Sequence, residues 1–215
     1  MMTFQYTTLN NMLVLLAAGI LMVSCSDSAT NPEPPLETTM AEDVPANVDG
    51  ERGSPPDFTF YNLENNSIIS DEDSASTKWD LAFSGTTILT NNGSSGPGQG
   101  GAVILDVPFG QVDMAPSSGF NVDTDTLLAI PTGSGNGWYN YTGGNEPQNA
   151  ILPLPDKTIV IKTASGNYAK INILSYYEGN PDTSTDEFAN SETRPPGRYY
   201  TFEYILQTDG SRTLE

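Results

Sequence analysis

Apolar and polar residues alternate along this chain in short runs, and each run reads as a strand. Phe58-Thr59-Phe60-Tyr61 and Ser67-Ile68-Ile69 flank Asn65-Asn66 and read as an opening pair. Trp79, Leu81 and Phe83 alternate with Asp80, Ala82 and Ser84, the period of a half-buried strand. Thr86 to Thr90 is a β-branched run, and Ala102 to Leu105 resumes an apolar strand after a loop of Asn, Gly, Ser, Pro and Gln from Asn91 to Gly101. Val107 to Gly119 predicts a loop with at most one short strand. Thr126 to Ile130 predicts a short strand, Pro131 to Gly137 a set of turns, Trp138 to Tyr141 a strand and Thr142 to Asn149 a loop. Thr158 to Thr163 and Asn167 to Tyr177 flank Ala164-Ser165-Gly166, a hairpin signal. In the second arm Ile171 and Ile173 face one way, Lys170 and Asn172 the other. Glu178 to Gly197 is a polar loop. Arg198 to Gln207 closes the domain, with Tyr200, Phe202, Tyr204 and Leu206 on one face. The pattern predicts an all-β fold, a single antiparallel domain over 57–215.

Upstream the pattern changes. Met12 to Val23 is continuously apolar, too short to span a bilayer comfortably and suited to a signal-peptide core. It runs into Leu21-Met22-Val23-Ser24-Cys25, the arrangement of a bacterial lipoprotein signal. Residues 1–24 are therefore expected to be removed and Cys25 to be diacylated, holding the protein on the outer membrane through lipid. Residues 25–56 are rich in Pro, Ser, Thr and acids and predict a disordered tether.

Charge narrows the partners. Eight Lys+Arg stand against 27 Asp+Glu, a formal net charge of −19. Such a surface repels phosphate, which argues against nucleic acid and against a peripheral hold on anionic lipid. Asp71-Glu72-Asp73 and Asp123-Thr124-Asp125 lack the spacing and glycine of an EF-hand loop. One cysteine and no histidine exclude an internal disulfide, a Ser-His-Asp triad and a His-ligated zinc.

Candidate chemistry is sparse. Gly96-Pro97-Gly98-Gln99-Gly100-Gly101 fits G-x-G-x-x-G formally. A dinucleotide site needs a helix to open there, and a strand follows instead. The loop reads as structural. Aromatic residues gather at Trp138, Tyr139 and Tyr141 and at Tyr199, Tyr200, Phe202 and Tyr204. They read as sheet packing or as an apolar slot for a flat ligand. Asp80, Asp106 and Glu203 each fall on the polar side of a strand, and no pair of catalytic carboxylates stands out. No enzyme signature is present.

Two separated blocks carry a resemblance. The first is Lys78-Trp79-Asp80-Leu81-Ala82-Phe83, then Thr90-Asn91, Gly93 to Gly96 and Gly100-Gly101-Ala102-Val103. The second is Ile161 to Ile171, then Ser175-Tyr176-Tyr177 and Tyr200 to Tyr204. In these the chain resembles the HmuY family, haem-binding lipoproteins of Bacteroidetes. The resemblance implies an all-β fold that clamps haem between finger-like hairpins. It also implies two axial side chains, usually His or Met, and delivery of haem to a TonB-dependent outer-membrane receptor. With no histidine here, the ligand candidates are Tyr139, Tyr141 and Met114, tyrosinate being a known haem ligand type. The alternative is a kept scaffold with different cargo, or an accessory surface protein without a prosthetic group.

Overall fold

β-Branched and aromatic runs form eleven strands in the computed structural model, which describes residues 1–3, 35–51 and 54–215. The leader and Cys25 lie outside the described residues. The strands are β1 (Thr39–Pro45), β2 (Thr59–Asn62), β3 (Ser67–Ile69), β4 (Leu81–Ser84), β5 (Thr87–Thr90) and β6 (Gly101–Leu105), then β7 (Tyr139–Tyr141), β8 (Ile151–Pro153), β9 (Thr158–Lys162), β10 (Tyr168–Tyr177) and β11 (Gly197–Gln207). A five-stranded sheet runs β1-β11-β10-β9-β6, a four-stranded sheet β3-β2-β4-β5, and β7-β8 stand as a separate hairpin. Every pairing is antiparallel. Among the described residues no helix is long and apolar enough to cross a membrane.

The expected tether is corrected over 39–45. The segment is β1, the edge of the larger sheet, with Thr39 opposite Tyr204 and Val44 opposite Tyr200. Ala41, Val44 and Ala46 are buried there. A bulge between Ala41 and Val44, with Asp43 at φ 49°, breaks the alternation that would have announced a strand. The compact body begins at Pro35, not at 57.

Aromatic rings fill the space between the two sheets. Phe83 of β4 lies 4.8 Å from Tyr200 and 5.7 Å from Phe202, and Tyr61 of β2 lies 5.6 Å from Phe202 (centroid distances). Each fully buried ring of this size contributes about 2–3 kcal/mol, more than a typical hydrogen bond at about 1 kcal/mol. The tyrosines also tie the sheets through their hydroxyls. Tyr200 donates to the Gly85 carbonyl (3.0 Å) and Tyr204 to that of Leu63 (2.6 Å). The shared face expected for Tyr200, Phe202 and Tyr204 is the face that packs here.

Two expectations of half-burial fail in the same way. β4 is buried on both sides, and Trp79 packs on Phe60, 5.0 Å away, rather than on the Phe83 layer. Lys170 is 3% exposed. Its ammonium donates to the Val112 carbonyl (2.8 Å) and lies 4.8 Å from the Phe109 ring centre. The outer face of β9 and β10 is covered by the 107–115 loop and by Leu214. The helical turn at Asp186–Ala189 and strand β8 were not anticipated.

Asp80 locks the sheets together. It is 5% exposed. One carboxylate oxygen accepts from the Leu63 N–H and the other from the Ala164 N–H, each at 2.9 Å. The first belongs to the turn after β2, the second to the β9–β10 turn. Burial raises this carboxyl above the usual carboxylate range, and the two N–H bonds pull it back in part. The folded chain therefore holds the proton more tightly than the unfolded chain. That contribution is complete below the unfolded value and is lost as pH rises through the folded one. Self-repulsion at a net charge of −19 acts in the same direction. Tm is expected to rise on going from pH 7 to pH 5, and at pH 7 with added NaCl, at about 2–4 °C per kcal/mol for a chain of this size. Differential scanning calorimetry checks this, and a Tm that falls with either change contradicts it.

Candidate functional site: an apolar groove on a buried carboxylate

The segment from Phe120 to Asn136 forms no strand of its own, so the strand expected at Thr126 to Ile130 is corrected. The physical reason is Asp123, which is fully buried. Its two carboxylate oxygens accept from the N–H of Thr90 at the end of β5 (2.9 Å) and from that of Ala129 (2.7 Å). A side chain thus takes the backbone donors that a neighbouring strand would have used. Within the loop, Thr124 N–H donates to the Leu127 carbonyl (2.7 Å), and the Thr124 hydroxyl accepts from the Leu127 N–H (3.0 Å). This tight turn lifts Leu127 into solvent.

The glycine-rich loop shapes the same place. Asn91 is buried at its centre. Its amide donates to the Ser76 and Trp79 carbonyls, and its side-chain oxygen accepts from Gly98 N–H. Ser94 N–H donates to the Asp123 carbonyl at 3.0 Å. Gly93, at φ 62°, has that carbonyl oxygen where a Cβ would stand. Farther along, Ala102 and Asn121 exchange both backbone hydrogen bonds. The loop that the sequence reads as structural is a mould for the 120–124 segment.

The result is a groove of about 720 Å³ lined by Phe120, Val122, Leu127, Leu128 and Pro131, with Thr and Asn side chains between them. That volume falls in the range of about 300–1,000 Å³ usual for small-molecule sites. Leu127 is 74% exposed and Val122 42% exposed, so apolar surface is left open to a ligand.

The sequence-predicted ligands do not line this groove. Tyr139 is buried, its ring 4.9 Å from Trp138 in the inter-sheet core. Tyr141 is 47% exposed, and its hydroxyl donates to Asn149 Oδ1 at 2.6 Å. Their strand braces the groove's rim from behind. Gly135 N–H donates to the Tyr139 carbonyl, and Tyr141 N–H to the Ser134 hydroxyl. Met114 is exposed and sits in a bridge with Thr213, beside the second core cluster. The two tyrosines share strand β7, one in the core and one at the surface, and Met114 lies on a different segment. Cys25 lies outside the described residues. Nearby phenols are held neutral: burial pushes Tyr176 up to about 12, and Tyr200 is raised as well, again by burial.

Haem, which the resemblance implies, can be tested against these residues. Its iron takes imidazole, thiolate, thioether or phenolate. The groove offers only carbon, hydroxyl and amide groups. The groove therefore supplies apolar contact but no donor to such a ligand's iron.

Comparison with known proteins gives the following matches. The family model described as HmuY protein matches residues 54–188. No curated protein matches the chain. Among solved structures, a Bacteroides fragilis protein described as a lipoprotein is 19% identical, covering 69% of this chain and 83% of its own, with a TM-score of 0.43. A Bacteroides vulgatus protein described as an HmuY-like haem-binding protein is 18% identical, covering 69% and 84%, with a TM-score of 0.42. Apo PinO from Porphyromonas gingivitis is 14% identical, covering 80% and 98%, with a TM-score of 0.49.

Gly93→Ala is expected to displace the Asp123 segment and to cost about 2 kcal/mol or more in urea unfolding. Leu127→Ala, at an exposed position, is expected to stay within about 0.5 kcal/mol of the parent. Equal stability losses for the two would contradict this account of the groove.

Proposed function

This chain belongs to the HmuY family, and from that premise we propose that it is a non-enzymatic, lipid-anchored binding protein that captures a flat, largely apolar ligand of the haem class at the outer membrane. The ligand sits in the groove over 120–136. The observation that carries this reading is the open apolar surface of Val122 and Leu127, held above Phe120 by a buried carboxylate. A non-covalent carrier needs such a pre-formed apolar surface and needs no reacting groups. Handing the ligand on to a TonB-dependent receptor is the step that the family resemblance adds. Attachment through Cys25 agrees with the leader pattern and would keep the domain at the membrane.

One observation favours a second reading. No imidazole, thiolate, thioether or phenolate lines the groove, so the same scaffold would also serve a cargo that carries no metal.

Titrating the soluble domain with haemin, followed by quenching of Trp79 and Trp138, tests the first reading. Saturable quenching is expected. Leu127→Asp is expected to weaken it at least about tenfold, since a carboxylate on an apolar contact costs more than about 1.4 kcal/mol. Tyr141→Phe is expected to leave it unchanged. Quenching that ignores Leu127→Asp and disappears with Tyr141→Phe would move the site to the β7–β8 hairpin.

A further inference from the structure

The groove's charge says more about its ligand than its shape does. Between Lys78 and Lys157 the chain has no lysine or arginine. The same stretch carries Asp106, Asp113, Asp123 and Asp125. Every residue that lines the groove comes from within it, and none is charged. A ligand carboxylate brought here would lose hydration without gaining a cation. It would also meet the field of a chain with net charge −19. A haem-type macrocycle carries two such carboxylates at one edge. Its iron finds no donor either. The Tyr141 hydroxyl is committed to Asn149, Tyr139 is packed into the core, and Met114 sits by Thr213.

We propose that capture in this groove is independent of iron, and that its preferred ligand is an uncharged flat macrocycle rather than the dicarboxylate form. This rests on the groove being the binding site, as read above. Affinity then comes from apolar contact with Phe120, Val122, Leu127, Leu128 and Pro131. The Thr and Asn groups between them are neutral hydrogen-bonding partners suited to a ring's neutral polar edges.

Three probes test this at low salt: haemin, metal-free protoporphyrin, and the dimethyl ester of protoporphyrin, each titrated into the wild-type domain. Haemin and metal-free protoporphyrin are expected to bind within about threefold of each other, and the ester at least about tenfold tighter than the free acid. That gap should narrow in 0.5 M NaCl, where screening shortens the reach of the protein's charge to a few ångströms. Leu127→Lys, at an exposed position, places a cation on the rim and should shift the preference back toward the free acid. Haemin binding at least about tenfold tighter than the metal-free ring, or an electron paramagnetic signal showing a protein side chain on the iron, overturns the independence from iron. An ester no tighter than the acid, or a preference that Leu127→Lys does not move, overturns the charge argument. If none of the three probes binds, or if Leu127→Asp weakens none of them, the groove reading itself fails and the inference falls with it.

Discussion

Asp80 is the tie on which the rest of the body depends. Two antiparallel sheets that share no backbone ladder are joined by aromatic packing, by the Tyr200 and Tyr204 hydroxyls and by a few loop hydrogen bonds. A carboxylate with one oxygen on the turn after β2 and the other on the β9–β10 turn adds a directional link. Its geometry requires two acceptors at once, which neither Asn nor Ser supplies. Leaving two buried N–H groups without a partner costs about 1–3 kcal/mol each. The aromatic layer of Tyr61, Phe83, Tyr200 and Phe202 supplies most of the energy, and Asp80 fixes the register in which it is spent.

Asp123 repeats the device for a different purpose. It also replaces a strand's hydrogen bonds with carboxylate bonds, but one of its donors lies in an irregular loop. The loop is thereby held open at a fixed height over the edge of β5, without a partner strand to cover it. Gly93 and Ser94 make this possible, because only a residue without a Cβ lets the Asp123 carbonyl approach so closely. The result is a fixed apolar lip at the groove.

Much of this was legible in the chain. The hairpin around Ala164-Ser165-Gly166, the opening pair around Asn65-Asn66 and the common face of Tyr200 to Tyr204 follow from period and turn chemistry alone, and the structure contains each of them. What stayed hidden has identifiable causes. β1 reads Thr-Met-Ala-Glu-Asp-Val-Pro, and its bulge puts the buried Ala41 and Val44 out of phase with a period of two. Strand parity groups Tyr139 with Tyr141 but says nothing of depth, and one is buried while the other is exposed. The groove was missed because Val122, Leu127 and Leu128 resemble strand residues. Only the side-chain capture of the Ala129 N–H by Asp123 shows that no strand can form there. The signal that could have found it is compositional: apolar residues in a long stretch without a single cation.

That cation-free stretch also bears on proteolysis. Proteases with an acidic specificity pocket cleave after lysine or arginine, and between Lys78 and Lys157 they find no such residue. The β4–β5 hairpin, the glycine mould, the groove and the β7–β8 hairpin all lie inside that interval. The loops inside that interval therefore give such an enzyme no lysine or arginine to cleave after. The lack of cations that leaves the groove with no partner for a carboxylate also leaves this interval with no site for a trypsin-like enzyme.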